Sequence, residues 1–180
     1  GSSRAAAAYA TPATAPPWPA VAHALLGTAA VIAGAVAMNQ RLESRGDARM
    51  NRTAGRPLPA GRLTAAKGTG FGLLLTAAGL VYLAALSAWQ VTLLAAASWA
   101  IYVGLYTPLK TRSAWQTPVG AVSGAMPVLL GAAAADALLT PMAAILFGIL
   151  FLWQLPHAMA VAGGRLWVGT NNGIGVWLPD

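Results

Sequence analysis

At 180 residues, 57% of them hydrophobic and only 8% charged, the chain is too apolar for a water-soluble domain, in which about a quarter of residues carry charge; its mean hydropathy of +0.62 makes a bilayer its natural solvent. The net charge of +7 does not point to nucleic acid, because the basic residues lie in loops between apolar runs and no basic face is interleaved with stacking aromatics. The absence of cysteine excludes disulfides, thiolate nucleophiles and Cys-ligated zinc.

Residues 1–18 form an Ala/Pro-rich lead-in with one arginine and no h-region adequate for a cleavable signal peptide, expected on the periplasmic side. Five apolar runs come next, Pro19–Met38, Gly68–Ser87, Val91–Tyr106, Pro118–Ala135 and Leu138–Ala162. About 20 apolar residues cross a bilayer core, so the expectation is an all-α, polytopic membrane protein of about five spans. Trp89 and Trp115 extend the third and fourth runs into the interfaces, and His23 falls near the interface of the first. Abundant Ala and Gly suit close helix packing in lipid.

Between the first two runs lies the densest polar segment, holding nine of the fifteen Asp, Glu, Lys and Arg residues between positions 41 and 67. Asn39, Glu43 and Asp47 recur at i, i+4 and i+8, so on a helix continuing out of the first run their oxygen-bearing side chains share one stripe. Oxygen ligands of this kind suit Mg²⁺, which takes one or two carboxylates plus substrate phosphate oxygens. A solvated helix end with ordinary i, i+4 pairs to arginine is the competing explanation. Arg49, Arg52 and Arg56 come after at spacings of three and four, with guanidinium forks matched to phosphate. Arg56-Pro57-Leu58-Pro59-Ala60-Gly61-Arg62 is a turn sequence, but a plain turn accounts for its prolines and glycine and not its arginines.

Further along, Tyr106-Thr107-Pro108-Leu109-Lys110-Thr111-Arg112 is a second basic loop. Gly120-Ala121-Val122-Ser123-Gly124-Ala125-Met126-Pro127 is rich in small residues and suits helix packing. His157, in Trp153-Gln154-Leu155-Pro156-His157, is a polar group near the end of an apolar span, where such groups face the bundle interior and mark functional paths; an interior His bonded to a carbonyl freed by Pro156 is the alternative.

Taken in order, Asn39-Gln40 with Glu43, Asp47 and Met50, then Arg52-Thr53, the Arg56–Arg62 segment, Tyr102, Tyr106–Lys110, Gly120–Pro127, Leu146-Phe147 and His157 make a colinear set. On these residues the chain resembles the UbiA superfamily of membrane prenyltransferases, most closely its heme-farnesylating branch, over about Leu25 to Ala162. The resemblance implies a helical bundle around a central cavity, Mg²⁺ as cofactor, farnesyl diphosphate as donor and heme b as acceptor. It implies that Asn39, Glu43 and Asp47 hold the metal, that Arg52, Arg56, Lys110 and Arg112 face the diphosphate, and that His157 binds or orients heme. A relative with another aromatic or tetrapyrrole acceptor, and a non-catalytic membrane fragment, are the two alternatives.

The chain departs from that family in three ways, one being that Thr111 and Ser113 replace residues commonly basic and hydroxylated in the family's loop. The helix that opens the family domain, expected before Tyr9, is absent, and residues 163–180 lack the second acidic motif, with no carboxylate before Asp180. The tail instead resembles one copy of a Leu-Trp-Val-Gly-Thr propeller repeat, too short for a blade array. The expectation is therefore a partial transmembrane domain over 19–162, with a divergent tail, that retains affinity for Mg²⁺-diphosphate without turnover.

Charge alternates between loops. Seven Lys and Arg lie between Arg41 and Lys67, and none between Ser87 and Gln90, which places the acidic-motif loop on the cytoplasmic face of the cell membrane. A cysteine replacing Ser44 should then be labelled by impermeant maleimide only from the cytoplasmic side and one replacing Ala88 only from the other; exchanged labelling would reverse the orientation.

Overall fold

The computed structural model describes residues 18–49, 51–110, 112–113, 115–157, 159–162, 165–170 and 173–177, with side chains as far as Leu155. The lead-in before Trp18, most of the tail's turns and the side chain of His157 fall outside the described residues. Five helices make the bundle: α1 (Trp18–Asp47), α2 (Ala65–Leu86), α3 (Trp89–Leu109), α4 (Gln116–Ala134) and α5 (Pro141–His157). The first four are long and apolar enough to cross a membrane, and their outward surface carries large exposed side chains such as Leu25, Phe71, Leu74 and Val81. This is a multi-pass helical membrane protein, as composition leads one to expect.

Two differences from the hydropathy reading stand out. Hydropathy makes the fifth run one span from Leu138 to Ala162, but α5 covers only 17 residues, about 26 Å of rise, and residues Met159–Ala162 are strand β1. Thr140 and Pro141 set its start, the Thr140 hydroxyl accepting from the Ala143 amide at 3.3 Å and proline sitting where a helix needs no donor. To the helical bundle the chain then adds a small antiparallel sheet in the order β1 (Met159–Ala162), β2 (Arg165–Thr170) and β3 (Gly173–Trp177), with Val161 opposite Leu166 and Trp167 opposite Val176.

The α1–α2 pair is the tightest contact in the bundle, and glycine explains it. Gly27 and Gly34 on α1 meet Gly72 and Gly79 on α2, each pair seven residues apart and so on one helix face. A methyl group at Gly34 would fall 2.7 Å from the Gly72 carbonyl oxygen, and one at Gly79 would fall 2.9 Å from the Gly27 carbonyl oxygen. At one end of this seam His23 Nδ1 and the Tyr82 hydroxyl lie 2.9 Å apart, which ties the expected interfacial histidine to α2. The buried cluster beside the seam is Ala24, Val31, Leu83, Val91, Ala95, Leu130 and Ala133, joining α1 through α4 with mostly small side chains.

Three local departures from α-helical winding set the directions of α3 and α5. Ser87 and Ala88 are both extended, breaking α2 from α3 in two residues. After α4, Asp136 adopts a positive φ of 53°, which aspartate tolerates better than most residues, and the Ala137 amide reaches back to the Ala132 carbonyl at 2.7 Å. Inside α3, residues Ala100–Tyr106 wind as a π-helix, with the Thr107 amide bonding to the Tyr102 carbonyl five residues back.

Because the seam has no room for a side chain, Gly34→Ala should destabilise the folded protein by about 1–3 kcal/mol, the usual effect of overpacking. Gly131→Ala, at a helical glycine with open space around it, should leave the thermal midpoint in detergent unchanged or raise it. Equal midpoints for the two variants would show that the seam is loose.

Candidate functional site

The thirty residues of α1 reach about 45 Å, more than the roughly 30 Å of hydrocarbon, so its last turns extend past the apolar layer. Those turns carry Asn39, Glu43 and Asp47 along one stripe, as their spacing predicts, and each meets a different partner. The Asn39 amide nitrogen donates to Glu43 Oε2 at 3.1 Å. Lys110 Nζ, just beyond the end of α3, donates to Glu43 Oε1 at 3.1 Å. Arg56 donates to Asp47 Oδ2 at 2.7 Å from the loop that succeeds α1.

That loop is folded back over the helix end. Thr53 donates its hydroxyl to the Asp47 main-chain carbonyl at 2.9 Å, satisfying an acceptor the helix terminus would otherwise leave open. The Ala60 amide bonds to the Arg56 carbonyl and the Leu63 amide to that of Pro57, Gly61 turns through a φ of +71°, and Arg62 donates to the Gly55 carbonyl at 2.6 Å. Leu58 packs on Gly68 near the start of α2. Pro, Gly and Arg in this segment thus have separate roles, in backbone direction for the first two and in charge pairing for Arg56.

Burial makes these pairs matter. Asp47 is 2% exposed overall, and the Glu43 and Lys110 side chains are 14% and 15% exposed. Removing one member of a buried pair strands the other, at about 3–5 kcal/mol, whereas the half-open Arg56 retains water on one side. Lys110 also lies 5.4 Å from the centroid of the Tyr106 ring, a cation–π placement.

Of the residues expected to face diphosphate, Arg56 and Lys110 join the stripe, while Arg52 and Arg112 are exposed. Among the described residues no three of His, Asp and Glu gather as a metal cluster. The available donors are two carboxylates and one amide, a set that fits Mg²⁺, which takes few protein oxygens and completes its shell with water and phosphate.

Tyr102 and Thr107 are among the residues that carry the resemblance but have no role assigned to them from sequence, and Gln116 and Gln154 are not singled out at all. Thr107 is buried, and its hydroxyl lies 2.9 Å from Asn39 Oδ1 and 2.8 Å from the Tyr102 carbonyl. Its position three residues before Lys110, on the same helix face, is the available signal. Tyr102 and Tyr106 stack at 5.5 Å and 22° and, with Gln116, Ser123 and Gln154, line a cavity of about 270 Å³ next to the stripe. Gly124 leaves the space that the Gln154 amide occupies. Tyr102 and Ser123 also border a second, apolar cavity of about 250 Å³ walled by Val31, Ala35, Trp99 and Leu130.

Comparison with known proteins identifies the family. Residues 3–165 match the UbiA prenyltransferase family. The chain is 48% identical over 145 residues to a protoheme IX farnesyltransferase of Solibacter usitatus, covering 78% of this chain and 48% of that one. It is 44% identical over 149 residues to one of Opitutus terrae, covering 82% and 50%, and 38% identical over 145 residues to the mitochondrial one of Arabidopsis thaliana, covering 81% and 34%. The chain thus spans about half or less of the length of these curated relatives. No solved structure matches it. This helical membrane bundle, matched over nearly its whole length, belongs to the UbiA prenyltransferase family.

Proposed function

We propose that this chain carries the diphosphate-binding half of a protoheme IX farnesyltransferase, in which a farnesyl group passes from farnesyl diphosphate to a vinyl group of heme b. The observation that carries the reading is the convergence of Asn39, Glu43, Asp47, Arg56 and Lys110 at one end of the bundle, beside cavities that turn from polar to apolar. The names of the relatives supply the acceptor.

Asn39, Glu43 and Asp47 would hold Mg²⁺, which when bound neutralises charge developing on the leaving diphosphate. Lys110 and Arg56 donate charge-assisted hydrogen bonds to the same oxygens. Both cations are already paired with carboxylates, so diphosphate arrives at donors that are partly desolvated and held in place. The isoprenyl chain lies along the apolar cavity walled by Val31, Ala35 and Trp99, which keeps water from the allylic carbon. His157, past Gln154 at the end of α5, orients the heme or ligates its iron. Arg52 and Arg112, exposed on the same loops, serve the approach of the anion rather than its final seat. The unit doing this work is the helical bundle, from Trp18 to His157, with the basic loops on the cytoplasmic side of the cell membrane.

Two measurements test the reading with the chain in lipid nanodiscs. Farnesyl diphosphate should bind in a Mg²⁺-dependent way, and Lys110→Ala or Asp47→Asn should weaken it at least tenfold, about 1.4 kcal/mol; binding indifferent to Mg²⁺ would remove the metal–diphosphate site. Heme b should shift its Soret band on titration with the chain, and His157→Ala should abolish or move that shift. An unaltered spectrum would take His157 out of the heme site.

A further inference from the structure

We infer that Thr107 is a positioning residue that sets which end of the Asn39 amide faces Glu43, and that the amide turns over when a divalent cation binds. The inference rests on the metal reading proposed above and adds a residue and a movement to it.

The starting point is a proton count. The Thr107 hydroxyl has one proton and two acceptors within reach, Asn39 Oδ1 at 2.9 Å and the Tyr102 carbonyl at 2.8 Å. The Tyr102 carbonyl is in place because the π-helical segment carries it there, and it also accepts from the Thr107 amide. As arranged, the Asn39 nitrogen donates to Glu43 and the Asn39 oxygen competes for the Thr107 proton. Only one of the two acceptors around Thr107 can have it at a time.

Rotation of the Asn39 amide by half a turn resolves the competition. Its nitrogen then donates to the Thr107 oxygen, the Thr107 proton goes wholly to the Tyr102 carbonyl, and both contacts are satisfied together. The rotation also aims Asn39 Oδ1 at Glu43 Oε2 across 3.1 Å. Two oxygens at that separation repel unless a cation neutralises them, and Mg²⁺ is a cation that takes amide and carboxylate oxygens. Without metal, an N–H of the amide supplies the positive end that Glu43 Oε2 faces. With metal, Thr107 accepts the nitrogen that metal displaces. Lys110 holds the other oxygen of Glu43 and does not obstruct the exchange.

The hydrogen-bond count predicts the behaviour of variants. The metal-bound arrangement uses Thr107 for two side-chain bonds and the metal-free one for a single bond, so loss of the hydroxyl penalises binding. Partners that orient metal ligands typically contribute 10–100-fold in affinity. In an Asn39→Asp background both ends of the side chain are oxygen, no rotation is needed, and the hydroxyl bonds equally in both states.

The test is titration with Mn²⁺ alone, read as loss of the free-ion electron paramagnetic resonance signal, with the chain in nanodiscs. Thr107→Val should weaken Mn²⁺ binding at least tenfold, Thr107→Ser should stay within about threefold of the parent, and Thr107→Val made together with Asn39→Asp should stay within about threefold of Asn39→Asp alone. Equal losses in Thr107→Val and Thr107→Ser, or an undiminished loss in the Asn39→Asp background, would mark Thr107 as merely structural and overturn the inference. Glu43→Gln separates the two levels. If it abolishes Mn²⁺ binding while Thr107→Val does not weaken it, only the positioning role fails; if the parent binds no Mn²⁺, or Glu43→Gln binds it unchanged, the metal site itself fails.

Discussion

The polar end of this bundle is governed by the cost of keeping two carboxylates where an apolar helix ends. Glu43 and Asp47 lie within two turns of a helix built to sit in lipid, and Asp47 is almost wholly enclosed. A lone charge there is untenable, so the chain brings a cation to each from a different direction, Lys110 from the end of α3 and Arg56 from the loop after α1. Those two requirements dictate much of the architecture. They fix how far α3 must run before it turns and force the Arg56 loop to double back, and they place the tyrosine pair of α3 beside the stripe. A cluster so balanced leaves neither carboxylate without a cation at the end of the apolar layer.

The rest of the bundle answers to a different constraint. Helices in lipid gain nothing from hiding leucine from water, so cohesion must come from close approach, and the glycines at positions 27, 34, 72 and 79 provide it. This leaves the larger side chains for the outside and the cavities. The core between α1 and α4 is accordingly poor in bulk, with Leu83 and Val91 its largest fully buried members. Space that a soluble protein would fill with side chains is open along Trp99, Pro127 and Leu130.

Much of this is legible in the sequence, for physical reasons that also mark where legibility stops. Lipid demands long apolar runs, so the helices that cross it are visible from hydropathy, and a period of four along Asn39, Glu43 and Asp47 is enough to put three side chains on one stripe. Contacts distant in sequence are not visible. Nothing local in Arg56 says that it reaches Asp47 rather than water, and Lys110 looks like a charge that sets topology until α3 delivers it to Glu43. Thr107 escapes notice because a neutral hydroxyl beside a proline carries no charge signal, although it shares a face with Lys110. An apolar run also reads alike whether it winds as α or π, so the change of winding in α3 leaves no trace. In the tail, the Leu-Trp-Val-Gly-Thr string is conspicuous, but its pairing with strands on either side depends on partners that a motif five residues long does not specify.

The wide turn in α3 decides where that helix tolerates a change of length. A π-helical segment holds more residues per turn than an α-helix, so losing one residue between Ala100 and Tyr106 would restore ordinary α-helical bonding and make the helix locally more regular. Because each residue of a π turn subtends less angle than one of an α turn, the lost residue and the tighter winding nearly offset, and the helix beyond would keep close to its present face. A residue lost from the α-helical stretch before Ala100 has no such compensation and would rotate everything after it by about 100° about the axis, taking Thr107 from Asn39 and Lys110 from Glu43. The register of α3 is therefore counted to the single residue ahead of its π segment, and that segment is where a change of length can be taken up.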